Sequence, residues 1–155
     1  SSAMTLLGKT DGADFQDGSS YLELAEFIMR YGAEPERDLR ELWRRIVFSI
    51  AVSNTDDHLR NHGFLLSKAG WQLSPAYDIN PNPQGYGLSL NISESDNTLD
   101  FSLALQVAPD FRLSAREAES ILKKTTGVVS RWKTYANAVG IPRSEQETME
   151  TAFHY

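Results

Sequence analysis

From Pro35 to about Val52 the chain sets Leu39, Leu42, Trp43, Ile46, Val47 and Ile50 at helical spacing, then runs straight into Asn54-Thr55-Asp56-Asp57-His58-Leu59-Arg60-Asn61. So broad an apolar stripe predicts the most buried helix of the molecule, with proline at its start. The loop that follows packs two acids, a histidine, an arginine and two asparagines into eight residues. A polar loop held at the end of a buried helix is rigidly positioned, which is what a catalytic constellation requires.

The spacing within that loop is informative. Asp56 stands five residues before Asn61, and a further acid, Asp78, follows in Ser74-Pro75-Ala76-Tyr77-Asp78. An aspartate, an asparagine five residues on and a later aspartate match the pattern of a kinase catalytic loop and its metal-binding acid. One carboxylate would orient and deprotonate a hydroxyl, while an amide oxygen and a second carboxylate hold magnesium against the phosphates. By this spacing Asp56 is the candidate base; Asp57 is only four residues from Asn61. Read alone, Asn54-Thr55-Asp56 also fits a turn that ends one helix. His58 suits a metal ligand, a proton acceptor or a hydrogen-bonded loop histidine. Asp56, His58 and Asp78 would also suit a metal-dependent phosphohydrolase, the runner-up chemistry. Arg60 is expected to pair with a phosphate or with Asp57, and His62 and His154 read as incidental.

Elsewhere the pattern is mostly helical. Leu6 to Asp17 reads as loop, and Ser20-x-x-Glu23 is a capping box for a helix ending at Gly32. Gly63–Ser67 and Trp71–Leu73 predict a hairpin that returns Asp78 toward Asn61. Leu88–Ile92 alternates like one more strand. Leu99–Ala108 reads as a short helix. A longer helix is expected from the capping box Ser114-x-x-Glu117 to Gly140, and Ser144-x-x-Glu147 is expected to cap a last one. The fold class is therefore mainly α (α+β), with a small β element beside the site, in one domain over residues 1–155. Trp43, Phe48 and Trp132 lie on helical apolar faces and read as core, with Trp71 beside the site.

Composition excludes several functions. Without cysteine there is no disulfide, thiol nucleophile or thiolate zinc site. A net charge of −6 gives no general attraction for nucleic acid, and no apolar run approaches a membrane span. The balance predicts a soluble, cytoplasmic protein. Gly8-Lys9-Thr10 imitates the end of a phosphate-binding loop, but Ala3 occupies the position of its first glycine.

Together these residues resemble the HipA-like serine/threonine kinases of bacterial toxin–antitoxin modules. The resemblance is carried by Ser20-Tyr21-Leu22-Glu23-Leu24-Ala25, Arg44-Arg45-Ile46-Val47-Phe48, Asn54 through Leu65, and Leu73 through Pro81. The helical tail with Trp132 and Gly140-Ile141 is similar as well. It implies the C-terminal, mostly helical kinase lobe, with Asp56 as catalytic base, His58 in support, and Asn61 and Asp78 as magnesium ligands and hence part of the ATP–magnesium site. It also implies ATP as phosphoryl donor, a protein substrate of the aminoacyl-tRNA synthetase type and a HipB-like antitoxin as partner. The glycine-rich loop and ATP-contacting lysine of such kinases have no counterpart here, so the chain is expected to be a fragment that binds ATP–magnesium weakly and lacks activity alone. A non-catalytic module docking the antitoxin is the other reading.

Overall fold

The computed structural model describes all residues, Ser1–Tyr155. Its organising element is α3, Pro35–Val52, preceded by α1 (Ala3–Leu6) and α2 (Tyr21–Tyr31). The predicted stripe is the buried face: Leu39, Leu42, Trp43, Ile46, Val47 and Ile50 are all fully shielded from solvent. α2 packs against it through Tyr21, Leu24 and Ile28, which recur at helical spacing. The capping box of α2 is present, with Ser20 and Glu23 satisfying each other's backbone N–H groups. Gly32 ends the helix as expected, its N–H bonding Ile28 O at 2.9 Å.

The hairpin pairs β1 (Phe64–Ser67) with β2 (Gly70–Leu73) in antiparallel register, Phe64 opposite Leu73 and Ser67 opposite Gly70. Gly70, at φ +134°, allows the turn to lie on the end of α2; a Cβ there would meet Tyr31 O at 2.7 Å. Ala33 N–H then bonds Trp71 O at 2.8 Å. Trp71 packs near Phe27 rather than beside the candidate loop. Downstream come α4 (Phe101–Val107), α5 (Ala115–Val129), α6 (Trp132–Ala138) and α7 (Arg143–Met149), with α4 and α5 closing on α3. Trp43 is locked by its ring N–H, which donates to Ala104 O at 2.8 Å. The architecture is mainly α with a single hairpin.

Four local expectations need correction. The supposed loop at Leu6–Asp17 begins inside α1 and closes with a 3-10 turn at Phe15–Asp17. Leu88, Leu90 and Ile92 are fully buried, but no strand runs beside them; their stretch makes only isolated bridges, such as Ser20 with Asn91. Alternation there reports a buried face, not a ladder. The long C-terminal helix breaks after Val129. Gly127 is a weak helix former, and the hydroxyls of Thr125, Thr126 and Ser130 bond carbonyls in the preceding turn, which loosens a helix. Finally, α7 starts at Arg143 after Pro142, so Ser144 lies inside it and Glu147 pairs with Arg143 instead of capping.

No helix is long and apolar enough to cross a membrane. Because α3 is the common packing partner, Trp43→Ala is expected to cost about 3–5 kcal/mol, as for other large core truncations. A urea denaturation midpoint that does not move would show that α3 is not the anchor.

Candidate active site

The loop begins where α3 stops. Ser53 adopts a left-handed conformation (φ 53°), and its N–H reaches back to Ile50 O and Ser49 O. Its hydroxyl donates to Ala152 O at 2.7 Å and lies 3.0 Å from His154 Nε2. His154, expected to be incidental, thus helps fasten the C-terminal segment to the end of α3. Asn54 is buried, and its Oδ1 accepts the Asn80 N–H at 3.3 Å. The start of the loop and the segment beyond Asp78 are therefore tied together.

The neighbouring acids diverge. Asp57 points inward, where its Oδ2 accepts from Tyr21 OH at 2.5 Å and lies 2.9 Å from His62 Nε2. His62 Nδ1 in turn faces Arg45 at 3.3 Å, and Arg45 also bonds Glu41 and Ser74 O. Burial pushes the Asp57 carboxyl up, but His62, the hydrogen bonds from His62 and Tyr21, and the Arg45 guanidinium outweigh it and hold Asp57 below its ordinary value of 3.8. Burial and the same carboxylate push the Tyr21 phenol well above 10.0, so it remains a donor. His62 is therefore a buried structural partner, not an incidental residue. Arg60 does not reach Asp57; it pairs with Asp11 at 3.1 Å.

Asp56 points outward, with its side chain 63% exposed, and its Oδ1 lies 2.9 Å from His58 Nε2. The His58 backbone N–H donates to Asn61 Oδ1 at 2.9 Å, and Asn61 Nδ2 donates to Asp78 Oδ2 at 2.9 Å. Asp56, His58, Asn61 and Asp78 are thus linked in series, Asp56 to the His58 ring and Asn61 to the His58 backbone N–H. The hairpin returns the chain to this point, and Tyr77 OH secures it on Arg60 O at 2.7 Å. Asp78 takes a left-handed conformation (φ 58°) and also accepts from Asn80 Nδ2 at 2.8 Å. Ser89, absent from the sequence expectations, donates to Thr55 O at 2.6 Å and sits 3.5 Å from His58 Nε2. His58 Nδ1 is buried without a hydrogen-bond partner.

This arrangement bears on the metal chemistry. No three His, Asp or Glu side chains converge as a metal-ligand group, since Asp78 joins Asn61 rather than His58. The ligand set of a phosphohydrolase is therefore not assembled. Asn61 and Asp78 instead stand side by side as an amide and a carboxylate, with Asn61 Nδ2 toward Asp78 and its Oδ1 on the His58 N–H, and both residue types carry the hard oxygens that magnesium takes. The residues fit that ion.

The family model for the HipA-like C-terminal domain matches residues 1–132. The chain belongs to this family. A curated Haemophilus influenzae protein named "Putative kinase" is 34% identical over 83 residues, which is 51% of this chain and 24% of that protein. A chain from the Shewanella oneidensis MR-1 toxin–antitoxin complex of HipA, HipB and operator DNA shares the fold, with a TM-score of 0.73 at 16% identity. That match covers 97% of this chain and 40% of the other. The chain thus spans well under half of either relative. The structural match covers more of the chain than the family match does.

The inward network has a pH signature. A carboxyl held below its ordinary value adds stability that is full above about pH 4 and is lost as pH falls through the folded-state value. Acid denaturation is therefore expected to steepen below pH ~4, and Asp57→Asn to flatten that limb while lowering stability at neutral pH. An unchanged acid limb in Asp57→Asn would contradict the network's role.

Proposed function

We propose that this chain is the C-terminal catalytic lobe of a HipA-like serine/threonine protein kinase, with ATP as donor and magnesium as cofactor. The observation that carries the reading is the hydrogen-bonded chain from Asp56 through His58 and Asn61 to Asp78. It joins a solvent-facing carboxylate to an asparagine and a second carboxylate, the residue types phosphoryl transfer asks of this lobe.

In this reading Asp56 is the base. Its free oxygen faces solvent, where a serine or threonine hydroxyl can approach within hydrogen-bond reach and give up its proton. His58 is a positioning residue: its ring fixes one oxygen of Asp56, and its backbone N–H fixes Asn61. Asn61 and Asp78 would hold magnesium, which when bound supplies positive charge to the phosphates. The left-handed backbone at Asp78 turns its carboxylate back onto Asn61, a conformation that strained functional positions retain when the surroundings dictate it. The phosphate grip of a kinase supplies much of the positioning for transfer. With no such element among these residues, the lobe alone binds ATP weakly and transfers no phosphate.

A protein substrate, of which an aminoacyl-tRNA synthetase is the family's example, and a HipB-like antitoxin are the proposed partners, in a cytoplasmic setting. The shared fold with the HipA–HipB–DNA complex supports the antitoxin. Direct contact with nucleic acid is not part of the proposal for this chain of net charge −6.

Magnesium titration followed by amide NMR tests the site. Resonances of Asn61 and Asp78 are expected to shift at millimolar magnesium, more strongly with ATP present, and Asp78→Asn should abolish the response. Tight magnesium binding indifferent to ATP would favour hydrolase chemistry. No response at either residue would favour a docking module.

A further inference from the structure

A groove of about 630 Å³ opens beside the candidate loop, and its lining does not include Asp56, His58 or Asp78. It lies between α3 and α5, reaching the loop only at Asn54, Asp57, Asn61 and His62. Its walls are unusual for an acidic chain. Five of the 15 Lys and Arg line it, against two acids, Glu41 and Asp57. Arg45 and Asp57 are spent on the buried network, so the accessible balance is Arg37, Arg40, Arg44 and Lys124 against Glu41.

The positive charges are ordered. Arg37, Arg40 and Arg44 fall three and four residues apart and so form a stripe along one face of α3. Their side chains are half exposed or more, and their partners Glu34, Glu117 and Glu41 are themselves partly exposed, although Arg37 also pairs with the buried Asp38 at 3.4 Å. Such pairs contribute roughly 0–1 kcal/mol, so an incoming carboxylate can replace them. Toward the other end the lining is more apolar, with Phe48 on α3, Val128 on α5 and Ile79 from the segment after Asp78, while Lys124 lies between Ile121 and Val128 on α5. Ile79 and Val128 are 40% and 47% exposed, with nothing packed over them. From Arg37 to Phe48 the helix rises about 16 Å. That is the span of roughly five residues of extended peptide.

We propose that this groove docks a short acidic-then-apolar peptide segment of a protein partner. Carboxylates would meet Arg37, Arg40, Arg44 and, nearer the middle, Lys124, and aliphatic side chains would fill the end lined by Phe48, Ile79 and Val128. A duplex nucleic acid would use the arginines but leave the apolar end empty, so the mixed lining favours a peptide. The groove adjoins the candidate site at Asn61, which places a docked partner next to the catalytic loop. The proposal rests on the groove and not on the chemistry of Asp56, and its test reads binding rather than phosphate transfer. Either reading can therefore fail without the other.

Fluorescence anisotropy with a short fluorescein-labelled peptide, a run of glutamates followed by leucines, tests it on the intact chain. Saturable binding is expected that weakens with salt. It should fall at least tenfold in the double variant Arg40→Glu, Arg44→Glu, and also in Lys124→Glu on the opposite wall. Replacing the leucines by serines should weaken it too. Absence of saturable binding, or affinity indifferent to both variants, would overturn the proposal. So would duplex DNA that binds more tightly than the peptide and is lost in the same variants, or sedimentation showing a dimer that those variants dissociate.

Discussion

Asp57 keeps a carboxylate almost wholly shielded from water, and a buried charge of that kind persists only when it is fully partnered. Tyr21 arrives from α2, His62 from beyond the loop, and Arg45 reaches His62 from α3. Three parts of the chain must therefore be in place before the carboxylate is satisfied. The same contacts fix where the loop enters and leaves. Because the loop turns between successive residues, pinning Asp57 inward leaves Asp56 outward, where it meets His58.

The outward chain inherits that rigidity. Asn54 and Ser53 fasten the end of α3 to the segments after Asp78 and at the C-terminus, and the Tyr77 hydroxyl closes the hairpin's return onto Arg60. Asn61 is both the last residue of the loop's 3-10 turn and the partner of Asp78. The candidate base and the candidate metal pair are thus set by one packing arrangement. Two adjacent acids divide the work: one holds the loop and the other is left available.

Much of this was legible in the residues. The α3 stripe, the caps at Ser20 and Ser114 and the hairpin around Lys68 are local patterns with local causes, and they appear as read. Pairing Asn61 with Asp78 needed only the hairpin's return. What escaped was long-range. Nothing local to His62 or His154 says that one will sit against a buried carboxylate and the other against Ser53. Tyr21 reads as one more apolar position of α2, although its hydroxyl serves a residue 36 positions away. Leu88–Ile92 alternates correctly, but alternation carries no information on whether a partner strand exists. The break after Val129 has a local cause in Gly127 and its neighbouring threonines.

Phosphoryl transfer by a protein that carries this chain together with a nucleotide-gripping lobe tests the central claim most directly. With ATP carrying a labelled γ-phosphate and magnesium, that protein should label a protein hydroxyl. Asp56→Asn should reduce the rate by about 10²–10⁴-fold, as loss of a general base does, while leaving magnesium binding at Asn61 and Asp78 intact. Transfer that proceeds undiminished in Asp56→Asn would contradict the account.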